Sequence, residues 1–162
     1  MNGCLLEVEG TLTPLGSKMH ITYQFEIHQA VPIVLIEFKY APKSFLDKEA
    51  SYPLIMDAIE RFTEPERIEA YHAQWENYYP LQNLLTLSID GPDGFRGSAH
   101  RHAPEQQHAI TGDSRTTSPG LIPGPITPGV WKITVSVHCV VSPQCHYALS
   151  VRGEAPDEMD SI

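Results

Sequence analysis

The chain has 162 residues and a mass of 18.1 kDa, the size of one domain. Its 41% hydrophobic and 19% charged residues exclude a disordered chain. Eleven Lys+Arg against twenty Asp+Glu give a net charge of −9, which argues against nucleic acid as a partner, because phosphate binding needs clustered cations.

The first element in chain order is a weak strand over Cys4 to Thr13. Met1 to Glu7 carries neither a basic stretch nor a long apolar run, so no signal peptide is expected. From Met19 to His28 the chain alternates cleanly. Met19, Ile21, Tyr23, Phe25 and Ile27 are apolar, and His20, Thr22, Gln24, Glu26 and His28 are polar. A period of two marks a half-buried strand. Val34, Ile36, Phe38 and Tyr40 repeat the pattern after a short break at Gln29 to Pro32, so the two strands are expected to form a hairpin.

The period then becomes helical. Tyr52, Ile55, Ile59 and Phe62 recur at helix spacing, as do Ile68, Tyr71, His72 and Trp75. Thr63-Glu64-Pro65-Glu66 has the form of a capping box between them. The spacing predicts a two-helix insertion over about residues 44–79, with a largely acidic, solvated surface. At its end Trp75, Tyr78 and Tyr79 form an aromatic cluster. Exposed, they would stack on a sugar; buried, they would staple the insertion to the sheet.

Alternation returns at Leu85, Leu87 and Ile89, and Asp90-Gly91-Pro92-Asp93-Gly94 is turn chemistry. Phe95–His102 and Gln106–Thr111 are predicted as short strands. Of eleven glycines and fourteen prolines, thirteen lie between Gly91 and Gly129, and Gly112 to Gly129 is expected as a stiff loop. Trp131, Ile133, Val135, Val137, Cys139 and Val141 mark the longest strand. After a turn at Ser142-Pro143-Gln144, Tyr147, Leu149 and Val151 lead back as a hairpin. Residues 153–162 are expected as an acidic flexible tail beyond a single domain over residues 1–152.

About eight strands without βαβ alternation predict an all-β fold: an antiparallel two-sheet sandwich, jelly-roll or immunoglobulin-like. Three cysteines and no apolar run of membrane length point to the cytoplasm, with no membrane partner.

Two blocks resemble a known family. Asn83-Leu84-Leu85-Thr86-Leu87-Ser88-Ile89-Asp90-Gly91-Pro92-Asp93-Gly94-Phe95-Arg96-Gly97 is similar to N-x-L-x-L-x-L-x-D-P-x-G-x-R-G. Ser118-Pro119-Gly120-Leu121-Ile122-Pro123-Gly124-Pro125-Ile126-Thr127-Pro128-Gly129-Val130-Trp131 is similar to S-P-G-x-x-P-G-P-x-x-x-G-x-W. Both resemble the accessory β-sandwich region N-terminal to the catalytic domain of some bacterial PHP-type metallohydrolases. The catalytic half has no room in this chain, so the resemblance implies a fold and not an activity.

Histidine offers the main candidate chemistry. His100 and His102, placed two apart in a strand, would project from one face and offer two imidazoles to one divalent transition metal. On the last hairpin His138 and His146 would be diagonal neighbours, and a meeting of the two pairs would complete a site. The alternative is four exposed imidazoles on a solvated face and no cofactor. Gly94, His100, His102, Glu105 and Gly112 approximate the first cupin metal motif, but the second motif has no counterpart. No nucleophile motif is present and no catalytic residue is assigned. Arg96, Trp75 and Tyr79 are candidate ligand-rim residues. The sequence therefore favours a non-enzymatic binding or interaction module for an unidentified protein or small molecule. A small His-ligated metalloprotein and a carbohydrate-binding module are its alternatives, and self-association as a homo-oligomer is left open.

Overall fold

The computed structural model describes residues 3–155. Ten strands form: β1 (Gly3–Leu12), β2 (His20–Ile27), β3 (Ile33–Ala41), β4 (Ser44–Phe45), β5 (Leu81–Gln82), β6 (Leu84–Gly91), β7 (Gly94–Ala99), β8 (Glu105–Thr111), β9 (Gly129–Cys139) and β10 (Cys145–Glu154). Two helices, α1 (Lys48–Phe62) and α2 (Ile68–Ala73), lie between β4 and β5. Sheet A runs β1-β10-β3-β8 and sheet B runs β2-β9-β6-β7, with every pairing antiparallel. The protein is an all-β sandwich with a helical insertion.

Its pairing is nested. β1 takes β10, β2 takes β9, β3 takes β8, and β6 takes β7 across the turn at Pro92-Asp93. A long ribbon, folded over so that its pairs alternate between two sheets, is a jelly roll. Two expected hairpins are thereby corrected. β2 and β3 belong to opposite sheets, as do β9 and β10. The short breaks at Gln29–Pro32 and Ser142–Gln144 carry the chain from one sheet to the other. Alternation fixed which side chains face inward but not which strand lies alongside.

Those inward faces meet in one core. Phe25 and Ile27 of β2, Leu85, Leu87 and Ile89 of β6, and Trp131, Ile133, Val135 and Val137 of β9 pack against Val34, Ile36, Phe38 and Tyr40 of β3 and Cys145, Tyr147, Leu149 and Val151 of β10. Trp131 is 1% exposed and donates its indole N–H to Thr127 O at 2.9 Å. Sulfur contributes no crosslink: Cys4, Cys139 and Cys145 are all free.

The glycine- and proline-rich segment closes one side of the sandwich. Ser98 N donates to Gly120 O (3.1 Å) and Ile122 N to Arg96 O (2.9 Å) along β7; Ser118 N donates to Ala109 O (2.9 Å) and Gly124 N to Thr111 O (2.9 Å) along β8. One loop thus satisfies one edge of each sheet, β7 and β8, which open strands otherwise leave as pairing sites. Leu121 and Ile126 plug the core beneath it. The approach is so close that a Cβ on Gly97 (φ +110°) would sit 2.3 Å from Gly120 O, and one on Gly120 (φ +90°) 2.3 Å from Ser98 O. Only glycine meets both demands. The two family-like blocks therefore pack on each other.

The β4–β5 pair is the neck of the helical insertion. Asp47 caps α1 by accepting from Ala50 N at 3.0 Å, and Ser51, Ile55 and Ile59 are its buried face. The expected capping box at Thr63 does not form. Thr63 ends α1, its N–H reaching Ile59 O, and no side chain caps the 3-10 turn at Pro65–Arg67. At the neck Asn83, 0% exposed, gathers the chain: its Nδ2 donates to Pro42 O (2.9 Å) and Ser142 Oγ (2.7 Å), and its Oδ1 accepts from Val141 N (2.7 Å) and Ser142 N (3.4 Å). β10 extends through Glu154, so residues 153 and 154, expected in the tail, belong to a strand; residues 156–162 lie outside the described residues.

Candidate functional site

The outer face of sheet B carries the polar half of each strand. Register lines up His20, Ser136 and Thr86 in one row and Thr22, Thr134, Ser88 and Ser98 in the next. Hydroxyls and imidazoles bond along these rows: Thr22 Oγ1 to Thr134 Oγ1 at 2.9 Å, and His20 Nδ1 to Ser136 Oγ at 3.0 Å. Beyond Ser136 stands His138, whose Nε2 bonds Thr86 Oγ1 at 2.8 Å. The His100 ring lies 6.3 Å from the His138 ring, centroid to centroid.

These positions revise the expected pairs. β7 ends at Ala99, so His100 and His102 occupy the following loop and not a strand face. That loop is held by Gln106, whose Nε2 donates to Arg101 O (3.1 Å) and Ala103 O (2.7 Å). His146 is not a neighbour of His138. It projects from the outer face of sheet A, where Nδ1 meets Thr11 Oγ1 at 2.7 Å, because β9 and β10 belong to different sheets. The structure therefore brings His138 to His100, and His20 stands on β2 opposite Ser136, two residues along β9 from His138. Partial burial pushes the His138 imidazole below its ordinary value, and repulsion from His100, His20 and His102 adds to the push. As the rings stand, no three His, Cys, Asp or Glu among the described residues are placed to hold a metal ion. The cupin-like spacing is not assembled either, since Glu105 lies on sheet A in register with Lys39.

Arg96 is occupied by the loop it was expected to rim. Its Nε donates to Ile122 O (3.1 Å), Nη1 to Pro125 O (2.9 Å) and Nη2 to Gly124 O (3.1 Å), and its guanidinium stacks over Trp131 at 5.1 Å. Trp75 and Tyr79 are half-buried and tie the insertion to itself. Trp75 meets Tyr52 edge-on at 4.9 Å, Lys48 Nζ lies over both Trp75 and Tyr79, and Tyr79 OH donates to Leu46 O at 2.7 Å.

A second surface was not singled out from sequence. The outer face of sheet A holds two adjoining hollows of about 550 and 710 Å³. Register explains their shape. Outward positions of β10 carry short side chains, Ala148 and Ser150. Their partners on β1 are Glu9 and Glu7, and on β3 Lys39 and Glu37; β8 adds Glu105 and Gln107. Long side chains flanking short ones make a trough along β10. The first hollow is lined by four acids, Glu7, Glu9, Glu37 and Glu105, against one base, Lys39. Glu37 is paired with Arg152 at 3.7 Å, whereas Glu7, Glu9 and Glu105 enter no ion pair among the described residues. At the other end the trough reaches His146, Lys43 and Tyr40. The available signal was the pair of small residues at outward positions of a strand, beside a strand with two glutamates.

No protein-family model matches the chain, and no curated protein matches it. No described helix is long and apolar enough to cross a membrane.

Proposed function

We propose that the protein is a non-enzymatic binding module that receives an extended, cationic segment of a partner protein in the trough of sheet A. The carrying observation is the trough itself: a floor of Ala148 and Ser150 flanked by the unpaired carboxylates of Glu7, Glu9 and Glu105. A concave surface with convergent polar groups is the usual form of a binding site. Acids outnumber Lys39 in the first hollow and steer a cation toward it, as does the net charge of −9, whereas Lys39 and Lys43 balance Glu9 and Glu105 in the second. The resemblance of the two glycine- and proline-rich blocks to accessory sandwiches supports a place beside a metallohydrolase. Three unpaired thiols suit a reducing compartment, the cytoplasm.

The test is fluorescence polarisation with a labelled alternating lysine–alanine peptide and its glutamate–alanine counterpart. The lysine peptide is expected to bind, more weakly as salt rises. Reversing two charges, Glu9→Lys with Glu105→Lys, is expected to weaken it at least about tenfold, roughly 1.4 kcal/mol. Equal binding of both peptides, or indifference to the reversal, would refute the proposal.

A further inference from the structure

We propose that His100 and His138, joined by His20 and His102, form a site for a divalent transition ion on the outer face of sheet B, on the side of the sandwich away from the trough. The class of ion follows from the donors. Imidazole suits zinc, nickel and copper, whereas calcium and magnesium need clustered oxygens.

The geometry supplies a pair that nearly fits. Two imidazoles bound to one tetrahedral zinc, each about 2.0–2.1 Å from it, have ring centroids about 5 Å apart. The His100 and His138 rings are 6.3 Å apart. Closing the difference takes about 1 Å of relative movement, within reach of side-chain rotation at exposed rings. Both residues are exposed. His138 is oriented from behind: Thr86 Oγ1 engages Nε2 at 2.8 Å, and Thr86 is itself 3% exposed and therefore fixed. That leaves Nδ1 for an ion, with Thr86 playing the orienting part that hydrogen-bonded groups play behind metal-bound histidines. His20 is anchored similarly by Ser136. His102 stands two residues beyond His100 in the same loop; Gln106 holds the backbone on either side of it, so only its side chain can turn toward the ion. Because no three donors converge before binding, the ion must gather them, and a micromolar affinity is expected in place of a structural-zinc one.

The experiment is isothermal titration of protein purified without an affinity tag, using zinc chloride and then nickel chloride. One saturable site per chain is expected at about pH 7.5, at least about tenfold weaker at about pH 5.5. His138→Ala and His100→Ala are each expected to weaken binding at least about tenfold. His146→Ala, on the opposite sheet, is expected to leave it unchanged. Circular dichroism checks that each variant is folded, and broadening of amide resonances by bound nickel locates the ion independently. It is expected around Thr86, Ser136 and His138. Absence of a saturable site, equal binding by His138→Ala, or broadening centred on Thr11 and His146 would overturn the proposal.

Discussion

Asn83→Ala tests whether the neck of the insertion and the β9–β10 crossover are locked by one buried amide. The substitution removes both side-chain donors and the acceptor of a residue that is 0% exposed. Ser142 Oγ keeps a partner, Gln144 O at 2.7 Å, and the Ser142 N contact at 3.4 Å is weak. Two groups are left stranded: the Val141 N–H, bonded to Asn83 Oδ1 at 2.7 Å, and the Pro42 carbonyl, bonded to Nδ2 at 2.9 Å. A buried group left without a partner costs about 1–3 kcal/mol; Val141 is half-buried and Pro42 is exposed, so water can reach the carbonyl and a loss of about 2 kcal/mol is expected. With a urea slope of about 2 kcal/mol/M, the unfolding midpoint should fall by about 1 M. Urea titration followed by tryptophan fluorescence reads it, since Trp131 lies in the core. A loss below about 1 kcal/mol at unchanged slope would refute the reasoning, because it would mean that water replaces the amide at no cost.

Three further outcomes follow from the same structure. Gly97→Ala forces a side chain into left-handed backbone against Gly120 O, and a loss of about 3 kcal/mol or more is expected in thermal unfolding. Arg96→Met removes three hydrogen bonds to the loop while keeping an apolar stem over Trp131; faster amide exchange at Leu121, Ile122 and Gly124 is expected, with core amides unchanged. Burial, with Arg101 nearby, holds the His108 imidazole below its ordinary 6.5, and burial with neighbouring imidazoles does the same for His138. The unfolded chain therefore takes up protons first as pH falls. Stability should be level above about pH 7 and decline below 6.5 until the folded values are passed. His108→Gln should make the melting temperature less sensitive to pH across that range, and an unaltered slope would count against the assignment.

Inward faces were legible because alternation is local. Val34 to Tyr40 and Trp131 to Val137 sit in the core where their parity put them. Partners were not legible, because a jelly roll pairs early strands with late ones and leaves neighbours in sequence on opposite sheets. That error displaced His146 from His138. The end of β7 at Ala99 had a subtler cause: the next residues give their carbonyls to the Gln106 side chain and not to a ladder. His20 does not stand out in the sequence because it is one polar residue in a regular alternation, and its nearness to the other imidazoles depends on β2 lying beside β9. The trough was hidden for the same reason, since its depth comes from comparing side chains on four strands that are distant in sequence.

The nested pairing has a mechanical consequence. Gly3 is in register with Gly153, so both ends of the ribbon sit at one end of the β1–β10 ladder. A force drawing them apart does not shear that ladder along its length. It loads one rung at a time, Gly3 with Gly153, then Cys4 with Arg152, inward to Leu12 with Cys145. Along this axis the protein opens like a zipper, and its resistance to tension is set by the weakest rung in turn and not by the whole sheet at once.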